Sequence, residues 1–292
     1  MVIIEIMKTV FILIFSILIY ATEVEIEILG SGGPELDGSA STSYLLWIDG
    51  EAKVLIDVGS GSMLRFEEAK ARIETLEAIL LTHLHIDHAV DLPSYMKAGF
   101  FSKRTKELPV IGPEGNLFFP STVEYCTILF GQEGAYRYMQ DILTPQSDSF
   151  QIIPKDINNT AHLEFKSFTV DVIPVHHGPV PALAYRITVG KKSLVISGDT
   201  NNETHTLENF TKDADLFIAH HAIPESAGGV AKALHMSPSV IASVATKSGV
   251  KKIVLTHRMV RTLEHENETL IIMRKTYDGQ IVFAKDHMRI RL

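Results

Sequence analysis

Thr82-His83-Leu84-His85-Ile86-Asp87-His88 places three histidines and one aspartate within six residues. The apolar run Ile79-Leu80-Leu81 leads into it and reads as a buried strand. The strand ends where the histidines begin, so a turn or helix start must carry them. His83 and His85 can then point one way, and Asp87 and His88 another. One short loop can thus supply ligands to two neighbouring metal ions. Imidazole nitrogen and carboxylate oxygen are the donors that zinc, iron or manganese accept in hydrolytic sites.

The pattern of strand followed by ligand recurs downstream. Val175-His176-His177-Gly178-Pro179 follows one strand and Ser197-Gly198-Asp199-Thr200 another; His257 ends the run 253–256, and His235 lies in Leu234-His235-Met236-Ser237-Pro238. With His220 and His221 after the run 216–219, nine of the 13 histidines lie in the first loop or in such segments, as a site on one sheet edge requires. Alternation predicts a strand at 24–29, broken by Gly30-Ser31-Gly32-Gly33-Pro34. A hairpin around Asp49-Gly50 joins 44–48 to 53–57. Helical periodicity covers 62–72 and 238–248; further strands fall at 78–82, 165–174, 182–189, 193–197, 216–219 and 281–283. Residues 91–143 read as a largely helical, aromatic insert near the site, interrupted by a strand-like 108–111 and a Gly112-Pro113 turn. The alternation implies one α/β domain, residues 22–292, of two sheets covered by helices.

At these residues the chain resembles the metallo-β-lactamase superfamily, and within it the ribonuclease Z-like and arylsulfatase-like branch. The resemblance runs from about residue 24 to the C-terminus and rests on HxHxDH followed by His, Asp and His. It implies an αββα sandwich with two divalent metals at its edge, zinc first, manganese or iron as alternatives. One metal would take His83, His85 and His177; the other Asp87, His88 and His257; Asp199 would bridge them. His177 is preferred to His176 because it immediately precedes the Gly-Pro turn before Pro181-Ala182-Leu183-Ala184-Tyr185, and because only one of two strand neighbours faces a given side. Two ions about 3.5–4 Å apart can share a water and lower its pKa to near 7, giving a bridging hydroxide that attacks an ester centre. Asp87 would hold the second metal and orient the nucleophile, and His235 resembles the branch's histidine at the scissile group, where it would protonate the leaving oxygen. Supporting candidates are Asp57 and His220 or His221; the branch often has a glutamate near the last two.

Within the superfamily, β-lactamases commonly use a cysteine where Asp199 stands, and the single cysteine, Cys126, lies in the helical insert. Glyoxalase II enzymes add a C-terminal helical domain, for which the 35 residues after His257 leave no room. Ser197-Gly198-Asp199-Thr200 and the His257-to-Arg261 spacing fit the ribonuclease Z branch. The long Gly/Pro- and Lys-rich arm with which ribonuclease Z grips tRNA is not recognisable. Lys103, Arg104 and Lys106 form only a small basic cluster, and a net charge of −8 disfavours broad nucleic-acid binding. The run at 10–20 (VFILIFSILIY) after Lys8 is shorter than the ~20 residues of a membrane span. It reads as a signal peptide cleaved near Ala21, or as an uncleaved anchor, since Ile19 departs from the small-x-small rule. A membrane partner follows only in the anchored case. Four of the seven asparagines stand in glycosylation sequons: Asn158, Asn202, Asn209 and Asn267.

The expectation is therefore a secreted or periplasmic hydrolase of small sulfate or phosphate esters with two metals, arylsulfatase-like or a phosphodiesterase. The fold also admits a homodimer. The same-fold alternative is a 3′-tRNA processing endoribonuclease of the ribonuclease Z type. The alternative of another class is a metal- or ligand-binding protein without turnover, which removal of His235 would distinguish.

Overall fold

The segment Ser43–Ile48 (SYLLWI) is buried along its whole length, and its two faces meet different cores. Tyr44, Leu46 and Ile48 join an apolar layer shared with Leu183, Tyr185 and Ile196, whereas Leu45 and Trp47 join a layer with Phe66, Tyr95 and Phe130. A strand apolar on both faces must lie between two layers, and that sets the architecture. The computed structural model describes residues 22–145, 147 and 149–292; the expected signal peptide or anchor lies outside them.

Seven strands form the first sheet: β1 (Val24–Gly30), β2 (Ser43–Ile48), β3 (Glu51–Ile56), β4 (Ala78–Leu80), β5 (Leu108–Pro113) and β6 (Ile152–Ile157), with the last strand of the chain, Met288–Arg291, paired antiparallel to β1. The second sheet holds β7 (Ala161–Glu164), β8 (Thr169–His177), β9 (Val180–Val189), β10 (Lys192–Ile196), β11 (Leu216–His220), β12 (Lys252–Thr256) and β13 (Gln280–Phe283); Met288–Arg291 is β14. The sheets stack face to face. Helices α1 (Ser62–Glu68), α2 (Ile86–Ala89), α3 (Leu92–Phe100) and α4 (Thr122–Phe130) lie with the first half of the chain; α5 (Leu207–Phe210), α6 (Gly229–Leu234), α7 (Pro238–Ser248), α8 (Val260–Leu263) and α9 (Glu266–Met273) lie with the second. Three apolar cores result, one between the sheets and one under each helical layer. This is the expected αββα sandwich.

One side of each sheet, out to its edge, is parallel: β3 to β6 in the first, β10 to β13 in the second. Parallel strands gather their carboxyl ends along one edge, where ligands of open α/β sheets bind. Asp57 follows β3, the histidine loop follows β4, Asp199 follows β10, His220 ends β11 and His257 follows β12. The β2–β3 turn has positive φ at both Asp49 (50°) and Gly50 (77°), the conformation that a two-residue hairpin loop demands.

Some elements differ from the sequence reading. α1 stops at Glu68, and Lys70 turns the chain out with φ 56°. The strand expected from 165 begins at Thr169, because Phe165 N bonds Phe168 O at 2.9 Å and their rings stack at 4.5 Å, closing a turn. Residues 91–143 are integral to the sandwich rather than appended to it. β5 is an inner strand between β4 and β6, and Tyr95, Met96, Cys126 and Phe130 fill the first helical core. No helix among the described residues is long and apolar enough to cross a membrane. The Asn202 sequon is buried, with Nδ2 3.2 Å from Glu208 Oε2, so the folded chain does not present that site for modification.

Candidate metal centre

His83, His85, His177 and Asp199 bring one donor atom each to within 4.8 Å of one another. Beside them, Asp87 Oδ2 lies 3.1 Å from His257 Nε2 and 3.6 Å from His88 Nε2. Asp199 Oδ2 stands between the two groups: it is 3.6 Å from His177 Nε2, 3.9 Å from His83 Nε2, 3.8 Å from His88 Nε2 and 3.4 Å from His257 Nε2. One carboxylate oxygen is thus shared by both halves, and every predicted ligand meets at one edge.

The local backbone explains how. His85 N-caps the short helix α2, so His83 and His85 precede the helix while Asp87 and His88 sit in its first turn. Asp57 (φ 54°), Gly198 (φ 58°) and His257 (φ 52°) all leave their strands in the left-handed region, which turns the side chains back into the edge. Gly198 has no room for more: a Cβ there would lie 2.7 Å from Leu183 O and 3.1 Å from Thr82 Cβ. Gly198→Ala is expected to cost about 2 kcal/mol or more through strain and clash. Denaturant unfolding measures it; a change below about 0.5 kcal/mol would contradict the crowding.

The buried nitrogens test whether a cation fits. His88 Nδ1 lies 2.8 Å from Asp57 Oδ2, and His177 Nδ1 lies 2.9 Å from Leu234 O. A proton on each Nδ1 satisfies those oxygens and leaves Nε2 as a lone pair, the tautomer of a metal-bound imidazole. Both Nε2 atoms are buried without a hydrogen-bond partner. Orphaned acceptors facing two carboxylates suit divalent cations.

His176 lies on the other side of β8, half-buried, with Nδ1 3.1 Å from Asn201 Oδ1. Strand alternation therefore gives the edge to His177. His220 also reaches the second group, but its Nδ1 is 2.7 Å from Asp199 Oδ1 and its Nε2 is 2.8 Å from Tyr44 Oη. With both nitrogens engaged it braces Asp199, and Asp87 is the better placed donor. His221 turns away, with Nε2 3.2 Å from Thr269 Oγ1. The brace from Tyr44 and the Leu234 carbonyl carry no sequence motif; only the fold brings them here.

Charge is balanced within the cluster. Burial and then the neighbouring His88 hold His83 well below the usual histidine range. Burial also disfavours charge on His88, but without a metal Asp57 and Asp87 outweigh it and lift His88 to about 9, so that a bound cation would displace the Nε2 proton. Burial alone would raise the Asp199 carboxyl; His257, His235 and His220 instead hold it well below the usual carboxylate range. Asp57 also accepts from Thr82 N (2.7 Å) and Thr82 Oγ1 (2.8 Å), which fixes the start of the histidine loop. Asp57→Ala is expected to weaken metal binding about 10–100-fold, measured by competition with a chromophoric chelator. Unchanged affinity would show that Asp57 orients nothing.

His235 stands at the mouth. It is 9% exposed, its Nδ1 is 3.7 Å from Asp199 Oδ2, and its ring lies 5.3 Å from that of His177 and 5.7 Å from that of His257. Burial holds it down to about 3 despite the pull of Asp199, with His257, His177 and Arg261 adding to the effect. On the His257 side, Gly33 lets the loop before β2 lie against the imidazole: a Cβ there would be 2.9 Å from Cε1. Asp286 pins that loop at both ends, accepting from Ser31 N (3.0 Å) and Ala40 N (2.9 Å).

A two-sheet sandwich with a histidine–aspartate cluster suited to divalent metals at its edge defines a class of metal-dependent hydrolases. The chain belongs to the metallo-β-lactamase superfamily: residues 36–257 match the family described as "Metallo-beta-lactamase superfamily". Ribonuclease Z of Mycobacterium sp. (strain KMS) is 30% identical over 248 residues, covering 80% of this chain and 84% of that protein. Among solved structures, the metallo-beta-lactamase fold protein YhfI from Bacillus subtilis superposes with TM-score 0.75 at 20% identity, covering 93% of this chain and all of that one. Human tRNase Z, short form, gives TM-score 0.69 at 19% identity, covering 91% and 98%.

Proposed function

We propose that the protein is a phosphodiester hydrolase of the ribonuclease Z kind. The observation that carries the reading is the shared Asp199 oxygen, which joins two donor groups under a single histidine, His235. When bound, a pair of divalent ions supplies an activated water and stabilises charge on the phosphoryl oxygens. His83, His85 and His177 would hold one ion, Asp87, His88 and His257 the other, with Asp199 between; nitrogen and oxygen donors suit zinc first, then manganese or iron. His220 and Asp57 keep Asp199 and His88 oriented. Asp87, a donor on the second side, aims the attack. His235, neutral in the empty site, gains basicity when a phosphodiester anion lies beside it, and so becomes able to protonate the leaving oxygen. The relatives named ribonuclease Z favour this reading over the arylsulfatase-like one.

A second reading, hydrolysis of small sulfate or phosphate esters, has its own support. β6 and β7 are joined by residues 158–160 alone, and among the described residues no long basic arm projects. The apolar run at 10–20, as an export signal, would also separate the protein from precursor tRNA. The deciding experiment incubates metal-loaded protein with a 3′-extended precursor tRNA, bis-p-nitrophenyl phosphate and p-nitrophenyl sulfate. Cleavage at the tRNA 3′ end supports the first reading. Turnover of the small diester alone, or of the sulfate, replaces it with the second. Stoichiometric metal without turnover of any of the three would mean a binding protein.

A further inference from the structure

The aromatic residues between 91 and 143 divide by what they touch. Tyr95 is core, with its ring 5.3 Å from Phe66; Phe100 meets Phe150 at 6.2 Å; Tyr136 meets Phe130 at 6.3 Å. The exposed Phe101 and Tyr138 gather around the Lys97 ammonium at 5.3 and 5.0 Å. Tyr125 donates its hydroxyl to Ala89 O at 2.9 Å and packs against the first helical core. Phe118 and Phe119 remain, and their loop stands beside the metal centre.

Their loop, between β5 and α4, is a braced turn. Asn116 N donates to Phe119 O at 2.9 Å, and Asn116 Oδ1 accepts from Phe118 N (2.8 Å) and Phe119 N (3.0 Å). Asn116 Nδ2 donates to Pro179 O at 2.8 Å, which ties the turn to the segment just past His177. At its far end Ser121 caps α4 and exchanges hydrogen bonds with Glu124. So held, Phe119 presents its ring to His85 at 5.8 Å and 64°. Phe118 is 74% exposed, and Ile86, directly after His85, is 72% exposed. None of the three apolar cores includes Phe118. A large ring on a rigid turn, bare to water beside reactive chemistry, is the anatomy of a ligand contact rather than of packing.

We infer that the Phe118–Phe119 turn is a stacking platform for a planar ring carried by the substrate, a nucleobase or an aryl group esterified to the phosphate. The inference rests on the phosphodiester reading above and narrows it. Stacking tolerates any ring, because every base or aryl group has a π face, and it needs no basic arm.

The test is binding to the metal-loaded protein, so it does not depend on turnover. Dissociation constants are measured by calorimetry for thymidine 5′-monophosphate, phenyl phosphate and ethyl phosphate, with wild type and Phe118→Ala. Metal content is checked in both. Wild type is expected to bind the two ring-bearing phosphates about tenfold more tightly than ethyl phosphate, and Phe118→Ala to lose that preference while ethyl phosphate binding stays within twofold. The thymidine and phenyl arms tell a nucleobase site from a general aryl site. Equal binding of all three by wild type, or an unchanged preference in Phe118→Ala, overturns the platform. Failure of the proposed activity shows separately, as absent hydrolysis of ethyl p-nitrophenyl phosphate by the same loaded protein.

Discussion

Asp199→Ala protein is expected to retain at most one metal per chain and to hydrolyse diesters at least about a thousandfold more slowly than wild type. The reason is geometric. Asp199 Oδ2 is a carboxylate oxygen within 3.9 Å of Nε2 atoms from both donor groups. Alanine removes the shared ligand and also leaves His220 Nδ1 without the acceptor it has at 2.7 Å. A buried donor stripped of its partner costs about 1–3 kcal/mol, so the melting temperature of the metal-free variant is compared with that of metal-free wild type. Elemental analysis after dialysis reads the metal count. Two retained ions with a rate within tenfold of wild type would refute the bridging role. Chelation of wild-type metal should reproduce the loss of activity, and readdition should reverse it.

His235→Ala is expected to behave differently: both metals stay, and kcat falls about 10²–10⁴-fold. Its Nδ1 approaches Asp199 but has no hydrogen-bond partner, and its ring faces both His177 and His257 at the mouth. A group that protonates the leaving oxygen matters most when that oxygen is basic. The deficit should therefore be large for an alkoxide leaving group and small for p-nitrophenolate. A uniform deficit across leaving groups would argue for a binding role, and loss of an ion would make His235 a ligand instead.

The edge chemistry was legible because its signals are local. HxHxDH packs four donors into one loop, and each remaining ligand sits where an apolar run stops, so the parallel strands of the sandwich could be counted from their ends. Choosing His177 over His176 needed only the two-residue period of a strand. The supports were not legible. Tyr44 and His220 are 176 residues apart, and no spacing rule connects them. β6 (IIPKDI) carries a proline and two charges, and β14 (MRIR) is short and half charged. Both are strands because a sheet edge accepts them, a tertiary preference that outweighs weak local propensity. Substrate choice was the least legible part, since it depends on loops such as 114–121 whose shape is set by contacts with another strand.

The clasp formed by Asp286 bears on the order of assembly. A nascent chain emerges N-terminus first, so every metal donor is available once His257 has been made, while the residue that fastens Ser31 and Ala40, and with them the Gly33 loop against His257, comes later. A chain stopped between the two would carry the whole set of donors with an unfastened wall.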